Sequence, residues 1–169
     1  TGSEPTELLP INNPESTNLR ELRRSIERFH GKQDEAAIET VWPYLGHKDR
    51  FIRFSARVAL EHQPVSQWQD RALAETDRQT ALSALLALAR QGDSSQALPL
   101  LQALGQLQPS EMNEAEKLET LRVMSLAFIR MNKPNEDLAA TLVQSLSPFF
   151  PAPSDALNRE LISMLVYLN

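Results

Sequence analysis

The stretch Asp49-Arg50-Phe51-Ile52-Arg53-Phe54-Ser55-Ala56-Arg57-Val58-Ala59-Leu60 recurs 28 positions later as Asp77-Arg78-Gln79-Thr80-Ala81-Leu82-Ser83-Ala84-Leu85-Leu86-Ala87-Leu88. Asp, Ser, both Ala and the final Leu coincide. Apolar and small residues recur at intervals of three and four, the period of a helix with one buried face. The leading Asp is placed to cap free N–H groups and to meet the positive end of the helix dipole. It also lies within reach of the Arg four residues on. Ala56 and Ala59 have no bulk, so this helix can lie close against its neighbours. Asp155, Arg159, Ile162 and Leu165 repeat the frame, and Leu121, Arg122, Ser125 and Phe128 repeat it without the acid.

Working outward, the segment before each such helix also recurs. Val41-Trp42-Pro43-Tyr44-Leu45 aligns with Ala97-Leu98-Pro99-Leu100-Leu101 and with Ser147-Pro148-Phe149-Phe150. A proline lacks the N–H and clashes with the preceding turn, so it bends or ends its helix. Three of the four first helices are expected to carry it late. The unit is therefore a helix pair, with pairs at 33–62, 64–91, 94–132 and 135–168. Residues 15–30 form one further helix, the second member of a pair whose first is missing. In all, nine helical segments of roughly 12 to 20 residues are expected, near the usual length. Ser16, Asp34, Asp77, Ser94, Ser110 and Ser154 are the expected N-caps. No stretch alternates apolar and polar residues, so no strand is expected. An amphipathic pair cannot bury itself alone, and stacking follows. The expected fold is all-α, a right-handed α-solenoid of about four antiparallel pairs plus one N-terminal helix. Residues 1–14, with Pro5, Pro10 and Pro14, read as an extended arm or linker, and 15–169 as the repeat domain. The apolar run at the C-terminal end reads as a chain cut from a longer protein.

Composition narrows the chemistry. The chain has 169 residues, 41% of them hydrophobic and 23% charged, with a net charge of −5 at pH 7 and no cysteine. At this length folding hides about 70% of the unfolded surface, so a core forms without metals or disulfides. The missing cysteine removes disulfides, thiolate catalysis, cysteine–zinc sites and covalent haem attachment. The negative charge argues against a general phosphate-backbone binder. No apolar run approaches the ~20 residues that span a bilayer.

The frame Asp-x-x-Ile-Arg-x-x-Ala-x-x-Ala-Leu after a proline-bearing helix resembles the HEAT repeat, over about residues 33–168. More narrowly, Gly31-Lys32-Gln33-Asp34 through Trp42-Pro43-Tyr44-Leu45-Gly46-His47 to Asp49-Arg50-Phe51-Ile52-Arg53 resembles the HEAT segment of large bacterial proteins of the planctomycete type. In those, the resemblance implies, a propeller-like dehydrogenase region lies upstream and a haem-binding Cys-x-x-Cys-His region downstream. Neither part is in this sequence, so no redox role transfers to its residues. The resemblance also implies a bacterial cell-envelope or periplasmic setting.

Sites of chemistry are sparse. His30, His47 and His62 lie 17 and 15 apart, which does not align them on one helical face, and His30 and His62 fall at helix ends. They read as capping or solvated residues rather than metal ligands. Asp34/Glu35, Glu114/Glu116 and Glu136/Asp137 fall in helix starts and have no partner across a cleft. No glycine-rich phosphate loop or Gly-x-Ser-x-Gly elbow is present. Trp42 and Trp68 fall on apolar stripes and read as core. Phe149-Phe150 between prolines reads as a plug at the end of the stack. The one concentration of like charge is basic. Arg20, Arg24 and Arg28 share a face of one helix, and Arg50, Arg53 and Arg57 share a face of the second helix one pair later. A solvated face balanced by Glu21, Glu27, Asp49 and Glu61, with Arg53 in an Asp–Arg ladder, is the plain account of them. As a docking surface, Arg24, Arg28, Arg50, Arg53 and Arg57 would meet an acidic partner or a flanking domain. No enzyme activity, cofactor or metal is expected. Two functions stay open. One is a non-catalytic scaffold, and the other is a nucleic-acid-processing enzyme of the DNA glycosylase type on a concave basic face. Acidity and the lack of exposed aromatics between the arginines count against the second.

Overall fold

The computed structural model describes residues 14–169, and among these it is all-helical with no strand. The expected arm therefore lies outside the described residues, except for Pro14. That proline opens the first helix, where its missing N–H has no helical acceptor to lose. The helices are α1 (Pro14–Glu27), α2 (Ala37–Val41), α3 (Arg50–Glu61), α4 (Gln69–Ala74), α5 (Arg78–Gln91), α6 (Ala97–Gln106), α7 (Glu114–Met131), α8 (Glu136–Leu146) and α9 (Asp155–Leu168). α2 and α4 are shorter than the sequence led one to expect. α2 meets Pro43 and tightens into a 3-10 turn at Trp42–Tyr44, and α4 follows a 3-10 turn at Val65–Gln67 that starts after Pro64.

Helix ends are set by caps. Asp49 accepts from the N–H groups of Phe51 and Ile52, Asp77 from Thr80, and Ser154 from Leu157. Three other expected caps are displaced. Ser16 lies inside α1. Ser94 yields to Asp93, which forms a capping box with Gln96. Ser110 sits in the 3-10 turn Pro109–Glu111, and α7 is capped by Asn113 in a reciprocal box with Glu116. Asn135 caps α8. Asp34 turns the chain before α2, accepting from the Ala36 N–H, without capping the helix itself. Pro99 is also misplaced by the repeat alignment. It occupies the first turn of α6, where it neither bends nor ends the helix. Pro43 and Pro148 do occupy 3-10 turns that close their helices.

The packing is serial. α3 lies against α1, α5 against α3, α7 against α5, and α9 against α7; α2, α4, α6 and α8 each pack on the helix that follows them. The joints between neighbouring pairs are polar as well as apolar. Ser83 Oγ donates to the Leu45 carbonyl across 2.7 Å, deep in the core. Arg71 reaches back to Glu39 at 2.8 Å and lies over the Trp42 ring, whose Nε1–H donates to Glu75. Arg78 pairs with Glu116 at 3.6 Å, and Ser154 donates to Glu114 at 2.6 Å. Gly46 marks a close approach: a Cβ there would lie 2.5 Å from Thr80 Oγ1 and 3.0 Å from the Asp77 cap. α5, in the middle of the row, is buried almost all round.

Ala56 and Ala59 are fully buried where α3 meets its neighbours. Ala56→Leu inserts three carbons into a packed interior, and a loss of about 1–3 kcal/mol is expected. Chemical denaturation reads this as a lower midpoint. An unchanged midpoint would mean that the small-residue frame is not a close approach.

Candidate basic–aromatic face

α3 buries Ile52, Ser55, Ala56, Ala59 and Leu60. The helical period then turns Phe51 and Phe54 to the opposite side, where they are 53% and 56% exposed. This corrects the expectation that no exposed aromatics lie between the arginines. Each ring carries a guanidinium: Arg50 sits 4.7 Å from the Phe51 centroid and Arg57 5.2 Å from that of Phe54. Such stacking leaves the edge N–H donors free while covering an aromatic face. On the adjoining α1, Arg24 is exposed, as is Arg28 in the turn that follows it, and Arg28 lies over the buried Phe29 ring at 4.7 Å. Arg24, Arg28 and Arg50 have no ion-pair partner among the described residues.

The other two expected members are committed elsewhere. Arg53 does not join an Asp–Arg ladder. Its Nη1 donates to the carbonyls of His47 at 2.6 Å and Lys48 at 3.1 Å, which ties the loop before α3 to the helix. A guanidinium reaches those carbonyls because the Asp49 carboxylate is already turned inward onto the backbone N–H groups. Arg57 is largely buried and paired with Glu61, whose side chain is 7% exposed and also receives Arg90 of α5 at 2.9 Å. This cluster is a joint between pairs rather than an open site. Spacing alone shows Arg57 and Glu61 as helical neighbours, but not that Arg90 arrives from the next pair.

The histidines are closer than their spacing implies. The stacking of α3 on α1 brings the rings of His30 and His62 to 6.2 Å. His30 Nε2–H donates to the Ser55 carbonyl, and His47 Nδ1 accepts from the Asp49 N–H. Among the described residues no group of three His, Asp or Glu side chains is arranged to hold a metal ion, and no helix is long and apolar enough to cross a membrane. The carboxylates with shifted acidity are Asp77, lowered by its hydrogen bonds from Thr80, and Asp93, lowered by those from Ser95. Both are helix caps, and neither lies on α1 or α3.

One residue was invisible to sequence reasoning. Gln63 is buried, and its amide joins three backbone groups, the Asp34 N–H and the carbonyls of Lys32 and Ala59. Phe149 packs beside Lys117 and lines a small apolar cavity with Met112, Leu121, Leu146 and Leu157, whereas Phe150 is exposed; only the first of the expected pair acts as a plug. The sequence and the structure, compared with family models, with characterised proteins and with solved structures, match none of them.

Proposed function

We propose that this chain is a HEAT-like, right-handed α-solenoid that works as a non-catalytic interaction module, holding a protein partner or flanking domain of acidic character. The observation that carries the reading is the α3 face: two half-exposed phenylalanines under arginine, flanked by Arg24, Arg28 and Arg50, which have no carboxylate partner among the described residues. Aromatic rings and arginines at one spot are the residue types that dominate binding hot spots. The serial packing of α1, α3, α5, α7 and α9 supports the solenoid reading, because in such a stack each pair leans only on its neighbours. The side chains near the arginines support a binding rather than a chemical role: Glu61 is consumed by two guanidiniums, and His30 and His47 hold backbone groups. Arg53 and Arg57 are accordingly positioning residues for the face, and Arg24, Arg28 and Arg50 supply its free charge.

The same face favours a second reading, since rings between arginines also stack bases of a single strand. One experiment separates them. A labelled peptide of alternating Asp/Glu and Phe/Leu and a labelled oligothymidylate are titrated against the protein by fluorescence anisotropy, at low and at high salt. The expected result is peptide binding that weakens with salt, as the screening length falls from about 10 Å at 0.1 M to about 3 Å at 1 M. Arg24→Glu with Arg50→Glu should lower peptide affinity roughly tenfold or more, chiefly through slower association. Stability should barely change, because exposed charges contribute little. Tighter binding of the oligonucleotide would replace the first reading by the second. Equal peptide affinity in the variant would remove this face as the site.

A further inference from the structure

We infer that His47 is a proton-operated latch on the start of α3: its neutral ring holds the loop 46–49 closed, and proton uptake opens that loop and loosens the basic–aromatic face. The consequence for binding rests on the docking reading of that face, whereas the latch itself does not.

His47 lies in the turn between the 3-10 segment Trp42–Tyr44 and α3. Its Nδ1 accepts from the Asp49 N–H at 3.0 Å. Only a neutral imidazole has a lone pair for that contact, since both nitrogens of the charged ring are donors. The bond closes the turn from which the face starts. Asp49 sends its carboxylate on to the Phe51 and Ile52 N–H groups, and Arg53 reaches back to the His47 and Lys48 carbonyls. Arg50 and Phe51, the next two residues, open the exposed side of α3.

Among the described residues, the surroundings offer a charged ring no unengaged acid. Lys48 follows it in the loop, and the Arg53 guanidinium of α3 lies on its carbonyl. The 3-10 segment contributes the Tyr44 ring, its centroid 6.4 Å away. From α5, Asp77 and Thr80 close on the neighbouring Gly46, and the Asp77 carboxylate already accepts from the Thr80 N–H. From α1, Glu15 is paired with Lys48 at 3.8 Å. That leaves Asp49, two residues on. A charged His47 that turned to it would compete with Phe51 and Ile52 for the cap and loosen the first turn of α3. Either way, proton uptake breaks a contact that the closed loop needs. Histidine changes charge between pH 5 and 8, a range in which arginines and carboxylates in general keep theirs. A partner that binds only the closed form loses affinity in proportion to the closed fraction. One hydrogen bond lost on opening sets that loss at about three- to tenfold.

The test compares the full chain with His47→Asn at about pH 8 and about pH 5.5. An asparagine amide oxygen accepts from the N–H two residues on as Nδ1 does, but it does not titrate. Any charge gained by His30 and His62 is common to both proteins and cancels. Circular dichroism checks that the variant keeps its helices. Two readouts are followed: NMR exchange of the Asp49, Phe51 and Ile52 amides without a partner, and anisotropy of the labelled acidic peptide described above. At the higher pH the two proteins should match, with the His47 ring proton on Nε2. At the lower pH the parent's three amides should exchange severalfold faster than the variant's, and its peptide affinity should lie about three- to tenfold below the variant's. Amides that exchange alike in both proteins at the lower pH overturn the latch. Amides that differ while peptide affinity does not would overturn its control of the face. A peptide that binds at neither pH defeats the docking reading alone, and the amides still decide whether the loop opens.

Discussion

Gln63→Leu is expected to lower stability by about 2–4 kcal/mol, although Gln63 lies in a loop and touches no ligand surface. Its side-chain oxygen accepts from the Asp34 N–H at 2.9 Å, and its nitrogen donates to the carbonyls of Lys32 at 3.1 Å and Ala59 at 3.0 Å. The residue is 3% exposed. Its own carbonyl accepts from Trp68 Nε1–H, so one residue fastens the loop after α1, the end of α3 and the start of α4. Leucine fills similar space and strands those backbone groups away from water, and each such group left unpaired costs about 1–3 kcal/mol. The measurement is urea denaturation, together with hydrogen exchange of residues 32–36. A loss of midpoint accompanied by faster exchange in that loop is expected. An unchanged midpoint would mean that water reaches the loop and replaces the amide.

The second large effect sits at Glu61, where α3 meets α5. Removing this buried acid by Glu61→Leu leaves the largely buried Arg57 without its partner. Such a break is worth about 3–5 kcal/mol when complete. Arg90 is nearly half exposed and re-solvates, which brings the expected loss to the lower end of that range. Removing both partners is expected to be milder than removing the acid alone, because a well-packed apolar pair carries no stranded charge. Arg57→Met with Glu61→Leu should therefore recover most of the stability lost in the single variant. A double variant that is less stable than Glu61→Leu alone would show that Arg57 contributes through its stacking on Phe54 rather than through the acid.

These two residues also mark the limit of what the sequence conveys. The helices were legible because Ile52, Ala56, Ala59 and Leu60, and their counterparts 28 residues on, follow one period, and because Asp49, Asp77 and Ser154 are capping residues in capping positions. The start of α7 was expected at Ser110 instead, although Asn113 and Glu116 have the spacing of a capping box. The exposure of Phe51 and Phe54 follows from the same period that buries Ile52 and Ala56, since neighbours of a buried position fall off its stripe. Gln63, Arg53 and Arg90 were not legible. Their partners are backbone carbonyls of a returning loop or side chains of the next pair, and those distances exist only once the pairs are stacked.

An open stack, in which each pair leans on its neighbours alone, is tested most directly by hydrogen exchange. Leu161 is buried in α9, and Leu161→Ala removes core contacts from the last pair at an expected cost of about 2–5 kcal/mol. Exchange followed along the whole chain by mass spectrometry should then speed up in α8 and α9, less in α7, and remain at the parent's rate in α1 through α3. Equal loss of protection from α1 to α9 would mean a single cooperative core, and would contradict the stack.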